Sequence, residues 1–327
     1  MKVLILVWLI IFGIVFTAIG QEKTDDFKPH GKPVALIFTN FNTAFTDGET
    51  YPSFEITRAY LGYEFNFSKE FYAKIIMDVG DPKVGAFQMT AYLKNAYVEY
   101  SKNKFSASFG MISTTQFKVS EKIWDLRYID KTFQDAYNFN SSADLGFNID
   151  YQFADFLSAD FSVLNGEGYK LIQNDNYVRP GFGITANPIK KITARLFLDT
   201  MGDTVKQQSL ATFLAYTGKK LVLGAEYNYQ TNFGMKEGQD VYGPSLYVTF
   251  SPNENLKLFA RYDDLKSKKL PREGSPWQLQ KDGQLLMGGV EFNPIKGVKV
   301  APNIRFWNTA DDAPNTTFAY LNLELSF

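Results

Sequence analysis

The sequence contains no cysteine and a single histidine, His30. Without cysteine the chain can form neither a disulfide framework nor a thiolate metal site, and it carries no thiol nucleophile. It also lacks an excess of either charge, with 34 basic and 35 acidic residues, so nothing indicates nucleic acid as a partner. Beyond the N-terminus, no apolar run approaches the ~17 residues that a membrane-spanning helix needs.

The N-terminus has the pattern of an export signal. Lys2 precedes an apolar run that begins at Val3 and continues to Phe16, and the small residues Ala18 and Gly20 follow it. A positive start, an apolar stretch and small residues before the cut are typical of a signal peptide. We therefore expect residues 1–20 to be removed by cleavage near Gly20. The alternative is a membrane anchor helix, since the run approaches the minimum spanning length.

Alternating apolar and polar residues recur along the rest of the chain. In residues 221–230, for example, Leu223, Ala225 and Tyr227 alternate with Gly224 and Glu226. Runs of this kind, bounded by turn-forming residues, predict β-strands, and most have the ~9–11 residues or more that a tilted strand needs to cross a bilayer. The 16 predicted strands are 34–45, 54–67, 71–79, 92–100, 105–113, 142–153, 156–164, 177–187, 192–200, 208–217, 221–230, 240–250, 256–264, 283–293, 298–307 and 316–327.

The connections between these strands alternate in length. Seven are short and rich in Pro, Gly, Asn, Asp and Lys, such as 68–70 and 101–104, and eight are longer, such as 46–53 and 114–141. A soluble sandwich has no reason to sort its loops in this way, whereas outer-membrane barrels have short periplasmic turns and longer outside loops. The sequence therefore predicts an all-β fold: a transmembrane antiparallel β-barrel of about 16 strands, with short periplasmic turns and longer extracellular loops.

Two strands fit this pattern less well. Strand 208–217 is consistent with either register, and Lys94 falls on the lipid-facing side of its strand, where it would have to reach the membrane interface. Elsewhere aromatic residues gather beside the short turns, as expected for an interfacial girdle. The mature chain is then divided into a short periplasmic segment, 21–33, and a single outer-membrane barrel, 34–327.

Charged residues are predicted on the inward face, which would line a water-filled channel because 16 strands leave an open lumen. The longest loop, 114–141, follows the fifth strand and has apolar surface enough to pack against the wall as a constriction. An outside cap or a partner-binding loop is the alternative. The pore-lining candidates are Arg58, Lys74, Arg179, Arg195, Arg261, Arg305, Glu64, Asp78, Glu99, Asp144, Asp150 and Glu226, and the constriction-loop candidates are Lys118, Glu121, Lys122, Asp125, Arg127, Asp130, Lys131 and Asp135.

Other functions have weaker support in the sequence. Enzymatic barrels place a His base near the outer rim, whereas His30 precedes the first predicted strand on the periplasmic side. A loop at 165–176 offers Glu167, Asn174 and Asp175 as oxygen ligands for a cation. A structural or adhesive surface protein would be expected to have larger loops. We expect no catalysis and no cofactor.

Part of the chain resembles a known family. Residues 58–81, 93–100 and 105–117 hold a hairpin that starts with an Arg, a strand that ends in an Asp, the strand LKNAYVEY and a strand that closes on Phe-Gly before the long loop. This arrangement resembles the phosphate-selective porin O and P family, over about a fifth of the chain. The resemblance implies a trimeric, 16-stranded pore, with Arg58 at the position of the family's hairpin Arg. In namesake members it also implies selectivity for anions.

These observations together predict an outer-membrane porin for passive diffusion of small hydrophilic solutes and ions. The alternative is an anion- or phosphate-selective channel of the same fold, with a surface-binding barrel less favoured. We expect the barrel to be surrounded by outer-membrane lipid and to assemble with two further copies of itself as a homotrimer. The alternating C-terminal stretch that ends in Phe327 resembles the signal read by the outer-membrane assembly machinery.

Overall fold

The alternating segments form 16 antiparallel strands in a computed structural model, which describes residues 27–80, 89–271 and 273–327. The predicted signal peptide, its cleavage position near Gly20 and the first part of the 21–33 segment lie outside these ranges. The strands β1 to β16 are His30–Thr46, Glu49–Asn66, Phe71–Gly80, Thr90–Lys102, Phe105–Ser113, Ala143–Ala154, Leu157–Leu164, Arg179–Ile189, Ile192–Met201, Gln207–Thr217, Leu221–Thr231, Val241–Asn253, Leu256–Ser267, Gly283–Ile295, Val298–Thr309 and Thr316–Ser326.

The sheet closes on itself. Each strand pairs with its neighbours in sequence, and the last strand returns to the first, with Leu36 opposite Ser326 and Thr46 opposite Thr316. Closure leaves no unpaired sheet edge, so every strand has a hydrogen-bonding neighbour on both sides. The predicted all-β barrel of 16 strands is therefore confirmed.

The two faces of the barrel differ as the alternation predicts. Along β11, Gly224, Glu226 and Asn228 are buried inside, whereas Leu223 and Tyr227 are exposed on the outside. Large apolar side chains are exposed on most other strands as well, as a surface that faces lipid requires. Contact with lipid rather than water would remove the penalty that such exposure otherwise carries.

Strand β10, whose register the sequence left open, is apolar on both faces. Ala211, Phe213 and Ala215 are buried inside the barrel, and Leu214 is 54% exposed on the outside. The inner face is apolar because it packs against loop 114–141 rather than against water.

Lys94 lies inside the barrel, so the prediction that it lies on the lipid face is wrong. Ile76 is opposite Asn95 whereas Met77 is opposite Leu93, which makes Lys94 the extra residue of a β-bulge. The bulge interrupts the alternation and turns the Lys94 side chain inward. Regular pairing, which the prediction assumed, fails at this position.

The first long connection is also shorter than predicted. Instead of a loop over 46–53, β1 and β2 are joined by Asp47 and Gly48 alone, both with positive φ. Asp-Gly suits a two-residue hairpin turn whose residues both have positive φ. The other long connections that the structure describes lie at the same end of the barrel, opposite the short turns.

Loop 114–141 contains two short helices, α1 (Lys118–Trp124) and α2 (Phe133–Ala136). Helix α1 ends where Asp125 adopts a left-handed conformation, with φ of 56°. Single turns of 3-10 helix lie at Phe233–Met235 and Leu279–Lys281 in other loops. Over the described ranges, no helix is long and apolar enough to cross a membrane.

Candidate functional site

Loop 114–141 lies inside the barrel, where inward-facing side chains bind its backbone. Arg195 on β9 donates a hydrogen bond of 2.9 Å to the carbonyl oxygen of Thr115, near the start of the loop. Four further backbone carbonyls of the loop accept similar bonds from the wall. Asn322 donates to Tyr128, Arg305 to Ile129 and Arg261 to Lys131, while Arg179 and Gln230 both donate to Phe139. Because these donors lie on β8, β9, β11, β13, β15 and β16, the loop is held from several sides of the lumen.

Apolar packing supports these hydrogen bonds. Trp124 is buried against β12 and β13, with its ring centre 4.9 Å from that of Tyr247 and 6.3 Å from that of Phe259. Leu126 and Tyr128 are buried in the same cluster. The loop and one side of the wall thus share an apolar core within the lumen.

A second apolar cluster lies nearer the long-loop end of the barrel. Phe133 and Phe139 of loop 114–141 pack with Val241 and Leu265 of the wall. Trp277, from the connection between β13 and β14, packs against this cluster and donates a hydrogen bond of 2.8 Å to the carbonyl oxygen of Asp240. The end of the constriction-loop candidate is therefore covered by neighbouring loops.

Most predicted loop charges are paired. Arg127 contacts Glu121 at 2.6 Å and Asp135 at 2.9 Å, and Lys131 contacts Asp135 at 3.0 Å. Burial by itself raises the pKa of Asp135, but the positive charges of Arg127 and Lys131 outweigh it and hold this pKa well below its usual range. Asp135 is therefore ionised and fixed at neutral pH.

Two loop aspartates are paired with the wall, and two lysines are not paired. Asp125 contacts Lys257 at 2.9 Å, and Asp130 lies 3.6 Å from Arg305. Lys118 and Lys122 are exposed on successive turns of α1, and neither has a carboxylate within ion-pair distance in the part of the chain that the structure describes. Among the described residues, they are the loop charges that face the lumen without an ion pair.

The predicted wall residues form ion pairs between or along strands. Arg58 contacts Asp78, Lys74 contacts Glu64 at 2.9 Å, and Arg195 contacts Asp160 at 2.6 Å. Arg179 with Asp199 and Arg261 with Asp263 form two further buried pairs, at 2.9 and 2.5 Å. Pairing of this kind lowers the field that each guanidinium would otherwise project into the lumen.

The remaining predicted acids accept hydrogen bonds from neutral groups. Ser108 donates to Glu99 at 3.0 Å, and Asn228 donates to Glu226 at 3.3 Å. Asp144 accepts bonds from the backbone nitrogens of Leu145 and Gly166 at 2.8 and 2.7 Å, and Asn148 donates to Asp150. All the predicted wall residues thus have side chains inside the barrel, but they form separate pairs rather than a ring of one sign.

In the described part of the chain, the loop borders three cavities, which are named here by their place. The vestibule, of about 360 Å³, lies toward the long loops and is lined by Arg58, Asp135 and Tyr169 among others. The β1–β5 cavity, of about 340 Å³, and the β6–β13 cavity, of about 670 Å³, lie beside the loop. Ser142 borders both the vestibule and the β1–β5 cavity. Lys118 borders both the β1–β5 cavity and the β6–β13 cavity.

Sequence reasoning missed several residues of these cavities. Lys94 donates a hydrogen bond to Ser142 and lies 4.0 Å from the ring centre of Tyr169. Phe38 and Tyr60 meet with their ring centres 6.2 Å apart on the inner wall. The break in alternation at Lys94 was the signal available, whereas an apolar Phe38 on the inner face has no such signal.

The predicted cation loop has other contacts. Glu167 accepts a hydrogen bond of 3.2 Å from the backbone nitrogen of Asn174, and Asp175 accepts one of 2.7 Å from that of Tyr177. Within the described ranges, no group of three His, Asp or Glu side chains is arranged to hold a metal ion. His30, the first residue of β1, is exposed at the short-turn end.

Several solved bacterial barrels have the same architecture. OprB of Pseudomonas putida superposes with a TM-score of 0.72 at 9% identity, over 91% of this chain and 94% of that one. A mutant of the Rh. blastica porin gives 0.61 at 16%, over 91% and 100%. The chain has the porin fold.

An outer-membrane protein, OmpT of Vibrio cholerae, superposes with a TM-score of 0.65 at 13% identity, over 94% of this chain and 100% of that one. At such identities the likeness concerns the fold. No protein-family model matches the sequence. No curated protein matches it either.

Proposed function

We propose that the protein is an outer-membrane porin, a water-filled channel through which small hydrophilic solutes and ions diffuse down their gradients. The observation that carries this proposal is the position of loop 114–141, held inside a closed barrel whose outer face is apolar. A closed barrel with lipid-facing apolar residues suits a membrane. A loop held within the lumen narrows the passage, and this loop carries both basic and acidic side chains.

The passage has an apolar, filled side and an open side with cavities. The apolar cluster around Trp124 fills the side near β10–β15, where Tyr247 and Phe259 pack on the loop. Water and solute are left with the three polar-edged cavities that adjoin at Ser142 and Lys118. In this proposal the loop is the constriction, and solutes pass from the vestibule along these cavities.

A planar-bilayer experiment tests the proposal. The mature protein, refolded and added to a bilayer, should conduct in discrete steps, and replacing residues 115–140 with a short Gly-Ser linker should increase the step size. A reversal potential near zero in a salt gradient would support a general diffusion pore. A folded barrel that never conducts would refute the channel.

An anion-selective channel is the second candidate, and Lys118 and Lys122 favour it. Both lysines face the lumen on one helix without acidic partners, whereas the wall arginines are neutralised by paired aspartates. A cation fixed beside a narrow passage attracts anions. A strongly anionic reversal potential would support this candidate, and phosphate preference, which the porin O and P resemblance implies, would require competition between phosphate and chloride.

We also propose an outer-membrane location in a Gram-negative-type bacterium and assembly as a homotrimer. Fold similarity to a Vibrio cholerae outer-membrane protein, of which a trimer form has been solved, supports both statements. Phe327 is proposed as the residue read by the assembly machinery. Cross-linking of the refolded protein in detergent, followed by electrophoresis, tests the trimer.

A further inference from the structure

The β1–β5 cavity has an apolar wall and a basic rim. Leu36 and Phe38 of β1, Ile76 of β3 and Phe117 at the start of α1 contribute apolar surface. The volume of about 340 Å³ falls within the ~300–1,000 Å³ of typical small-molecule sites. A solute with a compact apolar body can therefore displace water from this wall with a gain in free energy.

Positive charge dominates the rim of the same cavity. Its charged lining residues are four bases, Lys74, Lys94, Lys118 and Arg127, and one acid, Glu121. Glu121 is occupied by Arg127, at 2.6 Å.

The other nearby acids are also occupied. Lys74 is paired with Glu64 at 2.9 Å, Asp78 contacts Arg58, and Asp135 is held by Arg127 and Lys131. Asp150 lines the β6–β13 cavity together with Lys118 but forms no ion pair with it. Among residues 27–80, 89–271 and 273–327, Lys94 and Lys118 therefore have no carboxylate within ion-pair distance.

Lys94 is the more informative of the two. Its side chain is inside the barrel, the residue is only 6% exposed, and it contacts the hydroxyl of Ser142 and the ring of Tyr169. Asp78 and Asp135 act on it only from beyond ion-pair distance. A buried ammonium group without a carboxylate in direct contact is costly, because a hydroxyl and an aromatic ring replace only part of its hydration. An anion bound in the cavity would offset this cost.

We propose that the β1–β5 cavity is a binding subsite for small organic anions that combine one carboxylate with a compact apolar body. Lys94 and Lys118 contact the carboxylate, and Leu36, Phe38 and Ile76 contact the apolar body. The proposal deepens the porin function above and rests on it for the passage of the solute. It differs from a site for inorganic anions because the wall opposite the lysines is apolar.

Isothermal titration calorimetry on the folded barrel in detergent tests the subsite without requiring conductance. Benzoate is the probe, benzamide has the same ring without the charge, and acetate has the carboxylate without the ring. Benzoate should bind saturably and more tightly than either. Lys94→Gln and Lys118→Gln should each weaken benzoate binding about tenfold, the loss expected for one hydrogen bond to a charged group.

Two further variants make the test specific. Lys122→Gln removes the same charge from the same helix, but Lys122 lines only the β6–β13 cavity, so benzoate affinity should not change. Leu36→Asn should weaken benzoate while leaving acetate unaffected. If Lys94→Gln does not fold, Lys118→Gln and Leu36→Asn still decide the outcome, because Lys118 is exposed and Leu36 only half-buried.

Benzoate that binds no more tightly than benzamide and acetate would overturn the subsite. Equal losses from Lys118→Gln and Lys122→Gln would do so as well, since binding would then depend on overall charge. Conductance separates this proposal from the porin function. A barrel that conducts but does not bind benzoate retains the channel and loses the subsite, whereas one that binds benzoate but does not conduct loses the channel.

Discussion

The hydroxyl group of Tyr128 donates a hydrogen bond of 3.0 Å to Oε2 of Glu291. Tyr128 belongs to the loop that leaves β5, and Glu291 lies on β14, on the other side of the closed strand order. Burial and the neighbouring carboxylate both raise the pKa of Tyr128 well above its usual value, so its hydroxyl remains a donor. This bond fixes the loop to a wall far from the strands between which it is inserted.

Tyr128→Phe should therefore loosen the loop. Glu291 is 1% exposed and would lose a donor that no water can easily replace, so we expect the free energy of unfolding to fall by ~1–3 kcal/mol. Denaturant titration of the folded barrel, followed by tryptophan fluorescence, measures the change. Tyr51→Phe, on an exposed part of β2, is the matched control, and an equal loss there would contradict the assignment.

Trp124→Ala should remove the centre of the apolar packing between loop and wall. The loss of a buried Trp side chain is expected to lower the free energy of unfolding by ~3–5 kcal/mol and to increase single-channel conductance, because the loop would no longer be held against Tyr247 and Phe259. Both quantities are measured on one preparation. Phe54→Ala, which removes an aromatic ring that is 84% exposed on the outside, should leave conductance unchanged, and a rise there would count against the packing argument.

Acid should weaken the loop through Asp135. The pKa of Asp135 in the folded protein lies below its usual value of 3.8, so its contribution to stability is present above that value and decreases as the pH falls toward the folded pKa. Unfolding midpoints of the wild type should therefore decline below about pH 4, and those of Asp135→Asn should decline less. Asp312→Asn, in an exposed loop, is the control and should follow the wild type. Parallel curves for all three proteins would rule out the assigned role.

The double variant Lys118→Glu, Lys122→Glu should shift ion preference toward cations. A unit charge about 4 Å from a passing ion changes its energy by ~1 kcal/mol in water, so the permeability ratio should change roughly fivefold or more. The reversal potential in a salt gradient measures the ratio, and the shift should shrink at high salt because screening is stronger there. The control, Lys219→Glu with Lys220→Glu, places the same charges in a short turn, and a similar shift in that protein would contradict the role of α1.

The strands were predictable because alternation is local: lipid on one side and the lumen on the other impose a period of two on each segment. The same rule failed at Lys94, where a bulge adds one residue, and gave no answer at Phe213, whose inner neighbour is a loop distant in sequence. At Asp47 and Gly48 the Asp-Gly pair indicates a tight hairpin turn, but the prediction assigned a longer loop over 46–53.

The charges of the candidate site were predictable by face but not by partner. Alternation places Arg195 inside, yet its contacts with Asp160 and with the carbonyl oxygen of Thr115 depend on the register between strands and on the path of the loop. For the same reason a count of basic and acidic residues indicated balance without distinguishing the paired Arg127 from the unpaired Lys118. Tertiary pairing, which no local pattern encodes, decides which charges reach the lumen.

The hydrogen bonds that hold loop 114–141 also constrain the order in which the protein can mature. Asn322 on the last strand donates to the carbonyl oxygen of Tyr128, 194 residues earlier in the chain, and Arg305 on β15 donates to that of Ile129. Contacts so distant in sequence form late, because the intervening chain must be ordered first. The loop can therefore complete these two bonds only when the last hairpin has joined the barrel, so the wall must be assembled before the loop is fully fixed.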